Sequence, residues 1–476
     1  MYNAYITRIK NLHKHPNADR LQIGECFGNA IIVSMEYENN QLGVYFPSDG
    51  QLSVEFAEAN NLLRKKDENG NNIGGYMDPD KRNVTAIKLR GEKSDGLFLP
   101  LKSLESFGDI STLNEGDRID TFNGHEICCK YIPRRNVRSG HVSHGNKTRK
   151  HKVPVAPLFS EHADTEQLAY NLGAFKSGDE IEITLKMHGT SQRTGYLPVL
   201  KGYKRTFWDK IRRREGKPIY DWGYVSGTRR TVLEDFEGGY YGSNEFREAH
   251  SKFFEGKLNK GEEIFYEVVG FTHTGAPIMA SGDNKKLNDK DFVKQYGQTT
   301  VFSYGCSPDG GTGWDPALYD ENTGDLVIMP PQSDIYVYRM TMTNEDGFTV
   351  EYTPDFMRYR CEQMGVKTVP VFAKGTIDDE GVHIYYPHEE LYGFVHETES
   401  VGDTVKRIAE KYYDGSDPVG KTHVREGVVV RIINRPKFCA YKHKNWFFKA
   451  LEGIVKVEAE VPDIEEAESV DDNDTE

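Results

Sequence analysis

The segment from residue 180 to residue 191 constrains the fold more than any other part of the sequence. Its even-numbered positions are polar and its odd-numbered positions are apolar until the pattern stops at Gly189, the apolar set being Ile181, Ile183, Leu185 and Met187. A period of two predicts a β-strand with that set on one face and Glu182, Thr184 and Lys186 on the other. Lys186 therefore lies where the strand gives way to a turn. It is a candidate nucleophile if its surroundings favour the neutral amine, and the alternative is a solvated lysine at a strand end.

The composition indicates a folded protein with several domains. A chain of 476 residues suggests two to four domains, and its abundant Tyr and Phe are not typical of a disordered chain. No apolar run reaches transmembrane length, and the first residues do not read as a signal peptide, so we expect no membrane contact. The six cysteines are scattered without a CxxC pair, which favours reduced thiols in a cytoplasmic protein.

The charge is unevenly distributed along the chain. The net charge is −14, yet residues 130–152 hold eight Lys or Arg residues and no acid, whereas residues 458–476 are almost wholly acidic and polar. A second basic stretch runs from residue 201 to residue 214 and includes Tyr203 and Trp208. Such patches are compatible with nucleic-acid contact, and the alternative is a pair of solvated loops. The candidate contacts are Arg134, Arg135, Arg138, Lys204 and Arg205.

Residues 1–130 are predicted to form a small β domain. Short strands at 4–10, 21–27, 30–35, 41–46, 85–89 and 96–99 are separated by turn residues, which favours an antiparallel barrel or sandwich. The segment HPNADRL at residues 15–21 resembles a turn of tRNA-binding OB domains. Residues 88–100 resemble part of the OB domain that precedes the catalytic domain in some RNA ligases. An OB barrel commonly binds single strands, and the alternative is a purely structural barrel.

The remainder is predicted to be a basic linker at 131–165, a mixed domain at 166–457 and a disordered acidic tail at 458–476. Clear alternation predicts strands at 180–187, 264–269, 335–340 and 424–433. Residues 403–412 are predicted to form a helix with Asp403 as its N-cap and with Val405, Ile408 and Ala409 on one side. The expected fold class is α+β, with an OB-like N-terminal barrel followed by an antiparallel-sheet domain.

Five short segments follow Lys186 in a fixed order. They are SGTRR at residues 226–230, FYEVVG at 265–270, IYVYR at 335–339, REGVVVR at 425–431 and YKHK at 441–444. With the KMHG segment that begins at Lys186, they resemble motifs I, Ia, III, IIIa, IV and V of the covalent nucleotidyltransferases, which include ATP-dependent ligases and mRNA capping enzymes. Motif I is usually Lys-x-Asp-Gly. His188 replaces that aspartate here, which resembles a variant among RNA ligases that repair nicks.

The resemblance implies a role for each matching residue. Lys186 is the implied site of covalent adenylation, and the implied contacts of the α-phosphate are Lys442 and Lys444. Glu426 is implied to hold a hydrated Mg²⁺ or Mn²⁺ ion. The implied nucleotide-binding residues are His188, Gly189, Arg229 or Arg230 at a phosphate or RNA end, Glu267 at the ATP ribose, and Tyr336 or Tyr338 at adenine. Two neighbouring lysines on one strand face also disfavour a further ammonium, which makes an amine nucleophile available.

The domain order resembles that of RNA ligases with an N-terminal OB domain, of the Naegleria and Deinococcus type. DNA ligases and capping enzymes carry their OB domain after motif V, and only 32 residues follow Lys444 here. We therefore expect a monomeric, cytoplasmic, ATP-dependent RNA ligase that acts in RNA repair on 3′-hydroxyl and 5′-phosphate ends. The alternatives are a DNA ligase, a capping guanylyltransferase that uses GTP, and an RNA-binding protein with an inert transferase domain.

Overall fold

The chain divides into two compact units of mixed α and β structure in which strands predominate, so the predicted α+β class is confirmed. The first unit comprises Met1–Arg135 with Lys449–Asp463, and the second comprises the rest. The computed structural model describes residues 2–66, 72–131, 153–162, 165–211, 216–236, 244–272, 278, 290–296, 318–319, 326–328, 333–387, 391–396, 399–420, 424–452 and 455–456. The predicted acidic tail and most of the predicted linker lie outside these residues. The predicted domain boundaries at 130, 165 and 457 stay predictions.

The first unit consists of short strands and one helix, α1 (Val54–Ala59), which Ser53 caps by accepting a hydrogen bond from the Phe56 backbone N–H. Its strands are β1 Ala4–Arg8, β2 Lys10–Lys14, β3 Leu21–Cys26, β4 Asn29–Ser34, β5 Leu42–Phe46, β6 Gly50–Leu52, β7 Lys65–Lys66, β8 Asn72–Gly74, β9 Asn83–Val84, β10 Ala86–Leu89, β11 Glu92–Ser94, β12 Leu97–Pro100, β13 Arg118–Ile119, β14 Thr121–Phe122, β15 His125–Glu126 and β16 Cys128–Lys130. Six of them coincide with the predicted strands to within two residues.

The strands of the first unit form several small sheets. The largest has the order β12-β5-β1-β13, and β2, β3 and β4 form a separate antiparallel sheet. The described strands form no closed barrel, so the predicted OB barrel is not confirmed. Residues with positive φ interrupt the hydrogen-bonded ladders, such as Asn11 at 56° at the register shift within β2 and Asn40 at 65° in the turn before β5. A core of buried residues that includes Ile6, Phe46 and Phe56 holds the unit together.

The two N-terminal segments that resemble OB sequences contact each other. The backbone N–H of Asn17 donates to His15 Nδ1 at 3.0 Å, so the opposite ring nitrogen, Nε2, carries the proton and donates to the Leu89 carbonyl at 3.2 Å. Asn17 also donates to the Arg90 carbonyl at 2.9 Å, and Arg90 donates back to the Asn17 carbonyl at 3.2 Å. The turn at residues 15–21 is thus fixed to the end of β10.

The second unit is built on two seven-stranded sheets. Its strands are β17 Glu166–Gln167, β18 Glu180–Leu185, β19 Thr190–Lys204, β20 Lys217–Gly227, β21 Val232–Leu233, β22 Glu262–Gly270, β23 Leu318–Tyr319, β24 Leu326–Ile328, β25 Ser333–Thr343, β26 Thr349–Glu351, β27 Lys367–Thr368, β28 Val371–Ile377, β29 Gly381–Tyr386, β30 Leu391–Phe394, β31 Gly427–Ile432 and β32 Cys439–Lys444. Sheet A has the order β17-β32-β31-β18-β28-β29-β30. Sheet B has the order β21-β20-β19-β22-β25-β26, with β27 paired to β25. A last strand, β33 (Val455–Lys456), belongs to the first unit and pairs in parallel with β10.

The strand that carries the initial alternation, β18, lies inside sheet A between β31 and β28. Ile181 and Ile183 are fully buried, as predicted for the core face. The opposite face is not solvated, however, because Glu182 and Thr184 are also buried and line a cavity. Alternation therefore indicated the two faces correctly, but the polar face turns toward a pocket instead of bulk water.

Six more helices are found in the described part of the chain. They are α2 Phe207–Ile211, α3 Glu245–Phe253, α4 Lys290–Tyr296, α5 Pro354–Met364, α6 Val401–Tyr413 and α7 Trp446–Glu452. The apolar side of α6 packs on sheet A through Val405, Ile408 and Ala409, as predicted. Its predicted N-cap is wrong. Ser400 is the cap and Asp403 is the third helical residue, the two forming a reciprocal capping box that satisfies two backbone N–H groups.

The segment at residues 202–217 continues the β19–β20 hairpin. Its strands stay paired out to Lys204 and Lys217, and α2 lies at the tip. Within the part of the chain that is described, no helix is both long enough and apolar enough to cross a membrane.

Candidate functional site

A pocket lies between the facing sheets of the second unit. Its empty space, including its opening to solvent, is about 860 Å³. Sheet A contributes Lys186, Lys442 and the polar face of β18 to the lining. Sheet B and the segments next to it contribute Arg229, Glu267, Tyr338 and His162. The lining also includes Val429 and Arg431, so the structure brings together residues from all six motifs that sequence analysis singled out.

Lys186 sits at the point where the chain crosses from sheet A to sheet B. Its backbone N–H donates to the Gly427 carbonyl of sheet A at 3.1 Å, and four residues later Thr190 is paired with Val268 of sheet B. Gly189 makes the crossing sterically allowed, because a Cβ there would lie 2.4 Å from the Val268 carbonyl oxygen. The lysine-to-glycine spacing thus has a structural cause that does not depend on chemistry.

The Lys186 ammonium contacts a buried carboxylate. Its Nζ lies 2.5 Å from Glu426 Oε1, and Lys444 Nζ lies 3.2 Å from the same oxygen. Glu426 is 1% exposed and Lys444 is 4% exposed, so both charges are screened little by water. The carboxylate favours the ammonium form of Lys186, whereas the second cation and the low exposure oppose it.

The turn before β31 holds Glu426 in place. Gly427 has a φ of 149°, and a Cβ there would lie 2.1 Å from the His443 carbonyl oxygen, so glycine is required. On the other side, the Glu426 carbonyl accepts the Asn445 backbone N–H at 2.8 Å. Lys444 is the register partner of Gly427 and Lys442 that of Val429, which places both lysines on one face of β32. Lys442 lines the pocket, and Lys444 lies deeper against Glu426.

His188 occupies the position of the missing aspartate. The side chain is 3% exposed, and its ring meets the Phe448 ring edge-on with centroids 4.7 Å apart. Its Nδ1 lies 3.7 Å from Glu426 Oε2, which is beyond a direct hydrogen bond. The histidine therefore packs beside the carboxylate that contacts Lys186 without adding a second negative charge.

Sheet B presents Glu267 and Tyr338 to the pocket. Burial, followed by the charge of Glu267, raises the pKa of Tyr338, so its phenol stays protonated. Its hydroxyl and that of Ser191 share a hydrogen bond of 2.9 Å. Tyr336, the other adenine candidate, packs with Leu185, Met187, Val269 and Val369 and does not line the pocket. Of the two tyrosines, only Tyr338 reaches the cavity.

The two candidate arginines of the 226–230 segment are also distinguished. Arg229 lines the pocket, whereas Arg230 is exposed. Buried Arg193 fixes this turn, because its Nε donates to the Thr228 carbonyl at 2.9 Å and it also donates to the carbonyls of Ser160 and Arg230. The Arg229 carbonyl in turn accepts the backbone N–H of His162 at 3.0 Å.

Sequence reasoning missed Arg193 and His162. The His162 ring lies among the rings of Phe265, Tyr338 and Phe438, with centroids 5.2 to 5.8 Å away. Burial, followed by the nearby charge of Arg339, holds its pKa well below the usual value, so the imidazole is neutral. No local signal indicated either residue, since both act through contacts with distant segments.

The candidate RNA contacts fall into two groups. Arg134, Arg135 and Arg138 lie outside the described residues. Lys204 and Arg205 are exposed at the tip of the β19–β20 hairpin and do not line the pocket.

Glu426 fits a largely hydrated divalent ion better than an enclosed metal site. Among the described residues, the His, Cys, Asp and Glu side chains form no group of three or more that could hold a metal. Mg²⁺ in nucleotide sites typically keeps several waters and is bound through one or two carboxylates and the phosphates. A single buried carboxylate beside the nucleophile is consistent with that donor set.

Comparison with known proteins gives a match at the level of structure only. No family model matches the chain, and no curated protein matches it. The solved Naegleria gruberi RNA ligase with PPi superposes with a TM-score of 0.53 at 15% identity, over 94% of this chain and 97% of that one. Two substituted forms of the same ligase with ATP and Mn each give a TM-score of 0.52, at 15% and 16% identity, over 95% and 94% of this chain and 98% of theirs. These values establish a shared fold along nearly the whole length of both chains.

Proposed function

We propose that this protein is an ATP-dependent RNA ligase that joins 3′-hydroxyl and 5′-phosphate RNA ends. One observation carries the proposal: Lys186 and Lys444 both contact Glu426, beside a pocket that Lys186 and Lys442 line. A single lysine with a neighbouring carboxylate and two further cations is the arrangement that phosphoramidate chemistry needs. The fold shared with the Naegleria ligase, which is described with ATP and Mn, supports the choice of nucleotide and metal.

In the first step, the Lys186 amine attacks the α-phosphorus of ATP. A P–N bond forms, the bond to pyrophosphate breaks, and the ammonium proton must leave before the attack. Glu426, at 2.5 Å from Nζ, is the nearest acceptor for that proton. Lys442 and Lys444 provide positive charge where the phosphate oxygens become more negative.

The next two steps transfer AMP to RNA and then release it. The 5′-phosphate of RNA attacks the lysyl-AMP phosphorus, which frees Lys186 and leaves an adenylated RNA end. The 3′-hydroxyl of the other end then attacks the RNA phosphorus, and AMP departs as the phosphodiester forms. In these steps Arg229, Glu267 and Tyr338 would orient the nucleotide from sheet B.

Glu426 would hold a hydrated Mg²⁺ or Mn²⁺ ion, which, when bound, offsets charge on the phosphate groups. The same Glu426 carboxylate also contacts Lys186. Glu426 thus couples the ion to the protonation of the nucleophile.

Covalent labelling tests the proposal. The protein is incubated with α-³²P-ATP or α-³²P-GTP and a divalent metal, then denatured and separated on a gel. We expect label from ATP that is lost in Lys186→Ala and retained in Lys437→Ala, an exposed lysine before β32. Absence of label from both nucleotides, or label that persists in Lys186→Ala, would refute the mechanism. Label from GTP alone would instead favour a capping enzyme.

Sealing assays then test the polymer. Wild-type protein with ATP and metal is given nicked duplexes whose two sides are RNA, DNA or one of each. We expect sealing that requires an RNA 3′-hydroxyl end. Equal sealing of an all-DNA nick would favour the DNA ligase alternative, and lysine labelling without any sealing would leave only the adenylation step.

The role of His188 can be tested through the metal dependence. His188→Asp places a second carboxylate beside Glu426, and the added negative charge should lower the metal concentration for half-maximal labelling by on the order of tenfold. His188→Asn is the uncharged control and should not produce this shift. An unchanged metal dependence in His188→Asp would mean that position 188 does not sense the ion.

A further inference from the structure

The β19–β20 hairpin extends well beyond the rest of sheet B. β19 pairs with β22 only from Thr190 to Gly195, whereas its pairing with β20 continues to Lys204 and Lys217. Beyond that shared stretch, the outer part of the hairpin pairs with no other described strand. Residues 204–211 and 216–217, here called the hairpin tip, belong to this extension and do not line the pocket.

The hairpin tip exposes a group of large apolar side chains. Phe207 is 72% exposed, Trp208 is 64% exposed and Ile211 is 56% exposed, and the first two rings meet edge-on at 6.0 Å. Adjacent Phe and Trp rings on a short helix are costly to expose to water unless a ligand covers them.

The sequence that flanks these rings is strongly basic. Residues 201–217 include eight Lys or Arg residues and two acids in a chain whose net charge is −14. Among the described residues of this hairpin, Lys204, Arg205 and Lys217 are exposed. One of the two acids, Asp209, accepts hydrogen bonds from the Thr206 N–H and hydroxyl at 2.9 and 2.6 Å, which uses its carboxylate to begin α2.

We propose that the hairpin tip binds a single-stranded stretch of the RNA substrate, with bases stacked on Trp208 and Phe207 and phosphates contacted by Lys204, Arg205 and Lys217. This inference rests on the proposed ligase function. Exposed aromatic faces interleaved with cations are the arrangement by which proteins bind single strands without reading their sequence. Sequence-tolerant binding also suits an enzyme that joins arbitrary ends.

Two other occupants agree less well with the same residues. A helix that lies in a membrane interface buries an apolar face along its length, and α2, with five residues, is less than two turns long. A second copy of this chain would bring two strongly cationic tips together, which like-charge repulsion disfavours. Charge complementarity therefore favours a polyanion.

The test compares RNA binding with lysine labelling in the full-length protein. A fluorescein-labelled single-stranded RNA is titrated with wild type, Trp208→Ala, Phe207→Ala and the control Phe348→Ala, whose ring is 73% exposed elsewhere in the second unit. We expect Kd to rise about tenfold to a hundredfold in each tip variant, the range for loss of one base stack, and to stay unchanged in Phe348→Ala. Labelling by ATP should be the same in all four proteins, which also reports correct folding.

A second measurement isolates the phosphate contacts. The double variant Lys204→Ala with Arg205→Ala should reduce the slope of log Kd against log salt by about 1.4, because each phosphate contact on a single strand contributes about 0.7. Unchanged RNA binding in the tip variants, with labelling intact, would overturn the inference while leaving the ligase proposal in place. Loss of binding to anionic vesicles or loss of a dimer, with RNA affinity unaltered, would also overturn it. Failure of wild type to label with ATP would instead count against the proposed function.

Discussion

The two sheets that face the pocket arrange their charges differently. Sheet A places Lys186 and Lys444 against the carboxylate of Glu426 and brings Lys442 to the pocket lining. On the sheet B side, polar groups are fixed by hydrogen bonds to the protein itself, as when Tyr338 pairs with Ser191 and Arg193 with backbone carbonyls. Sheet A therefore offers net positive charge to a reacting phosphate, and sheet B offers a rigid, mostly neutral wall.

This difference suggests a division of labour under the proposed function. Groups that meet charge as it develops should affect kcat, whereas groups that hold the nucleotide equally before and during reaction should affect KM. Substitutions in sheet A should therefore lower kcat for adenylation, and substitutions that disturb sheet B should raise KM for ATP. The predictions below test this contrast, beginning with the largest effect.

The largest effect is expected at Lys442, which faces the pocket from sheet A. Lys442→Met keeps the apolar stem of the side chain and removes its charge, so kcat for lysine adenylation should fall about 10²- to 10³-fold while KM for ATP changes little. The measurement is the initial rate of labelling across a range of ATP concentrations. Lys437→Met, at an exposed position before the same strand, should behave as wild type. A change in KM alone would assign Lys442 to nucleotide binding and remove the contrast.

The next largest expected effect is a pH dependence of the free energy of unfolding, on the side of the molecule that contains sheet B. Burial lowers the pKa of His250 on α3 to about 4, compared with about 6.5 in an unfolded chain. Between pH 4 and pH 6.5 the unfolded state therefore binds more protons than the folded state. The contribution of neutral His250 to the free energy of unfolding is full above pH 6.5 and is lost as the pH falls toward 4. It amounts to at most about 3 kcal/mol. We expect the free energy of unfolding, measured with urea, to depend less on pH in His250→Asn than in wild type.

The sheet A side should respond in a lower pH window. Hydrogen bonds and charge from His443 and Lys406 outweigh burial and lower the pKa of Glu410 on α6 to about 2. The contribution of ionised Glu410 to the free energy of unfolding is present above about pH 4.5 and is lost as the pH falls toward 2.

His396→Gln, at an exposed position, is the control for His250 and should leave the pH dependence of the free energy of unfolding between pH 4 and 6.5 unchanged. If the free energy of unfolding depended equally on pH in His250→Asn and in wild type, the prediction for His250 would be contradicted.

A smaller, kinetic effect is expected from Arg193, which we infer positions Arg229. Removing the three hydrogen bonds of Arg193 to carbonyl groups should let the 228–230 turn move and raise KM for ATP about tenfold, with kcat nearly constant. Burial raises the pKa of its partner Glu263 to about 8, and Glu263→Gln is combined with Arg193→Met so that no charge is left without compensation. Labelling kinetics provide the measurement.

A double-mutant cycle distinguishes positioning from general damage. If Arg193 acts through Arg229, adding Arg229→Ala to the Arg193 variant should raise KM no further than Arg229→Ala does alone. Additive effects would show that the two arginines contribute independently. A loss of kcat with unchanged KM would contradict the assignment of this wall to nucleotide binding.

Local sequence patterns predicted those features of the two sheets that depend only on residues close together in the sequence. The period of two and the order of the motifs predicted the strands next to which Lys186 and Glu426 lie and the strand that ends at Lys444. Gly189 and Gly427 are local signals of this kind, because each is required where another backbone segment passes close to it. The structure places these residues in contact, and their catalytic roles stay predictions.

The features that sequence missed depend on distant contacts. Glu182 reads as an outward strand residue, yet Arg358, 176 residues later, donates two hydrogen bonds to its carboxylate. His162 is determined by rings from three separate segments. The N-terminal OB barrel is not confirmed, because alternation predicts strands and cannot predict whether their edges close.

The smallest predicted effect compares the helices that cover the two sheets. Ser400 begins α6 on sheet A with a capping box, whereas Asn244 begins α3 on sheet B without a side-chain hydrogen bond to the helix. Ser400→Ala should therefore lower the free energy of unfolding by about 1 kcal/mol, and Asn244→Ala should change it by less than about 0.5 kcal/mol. Urea midpoints at neutral pH measure both. Equal losses would mean that the two helices begin with equally strong caps, and the asymmetry between the sheets would then be confined to the pocket.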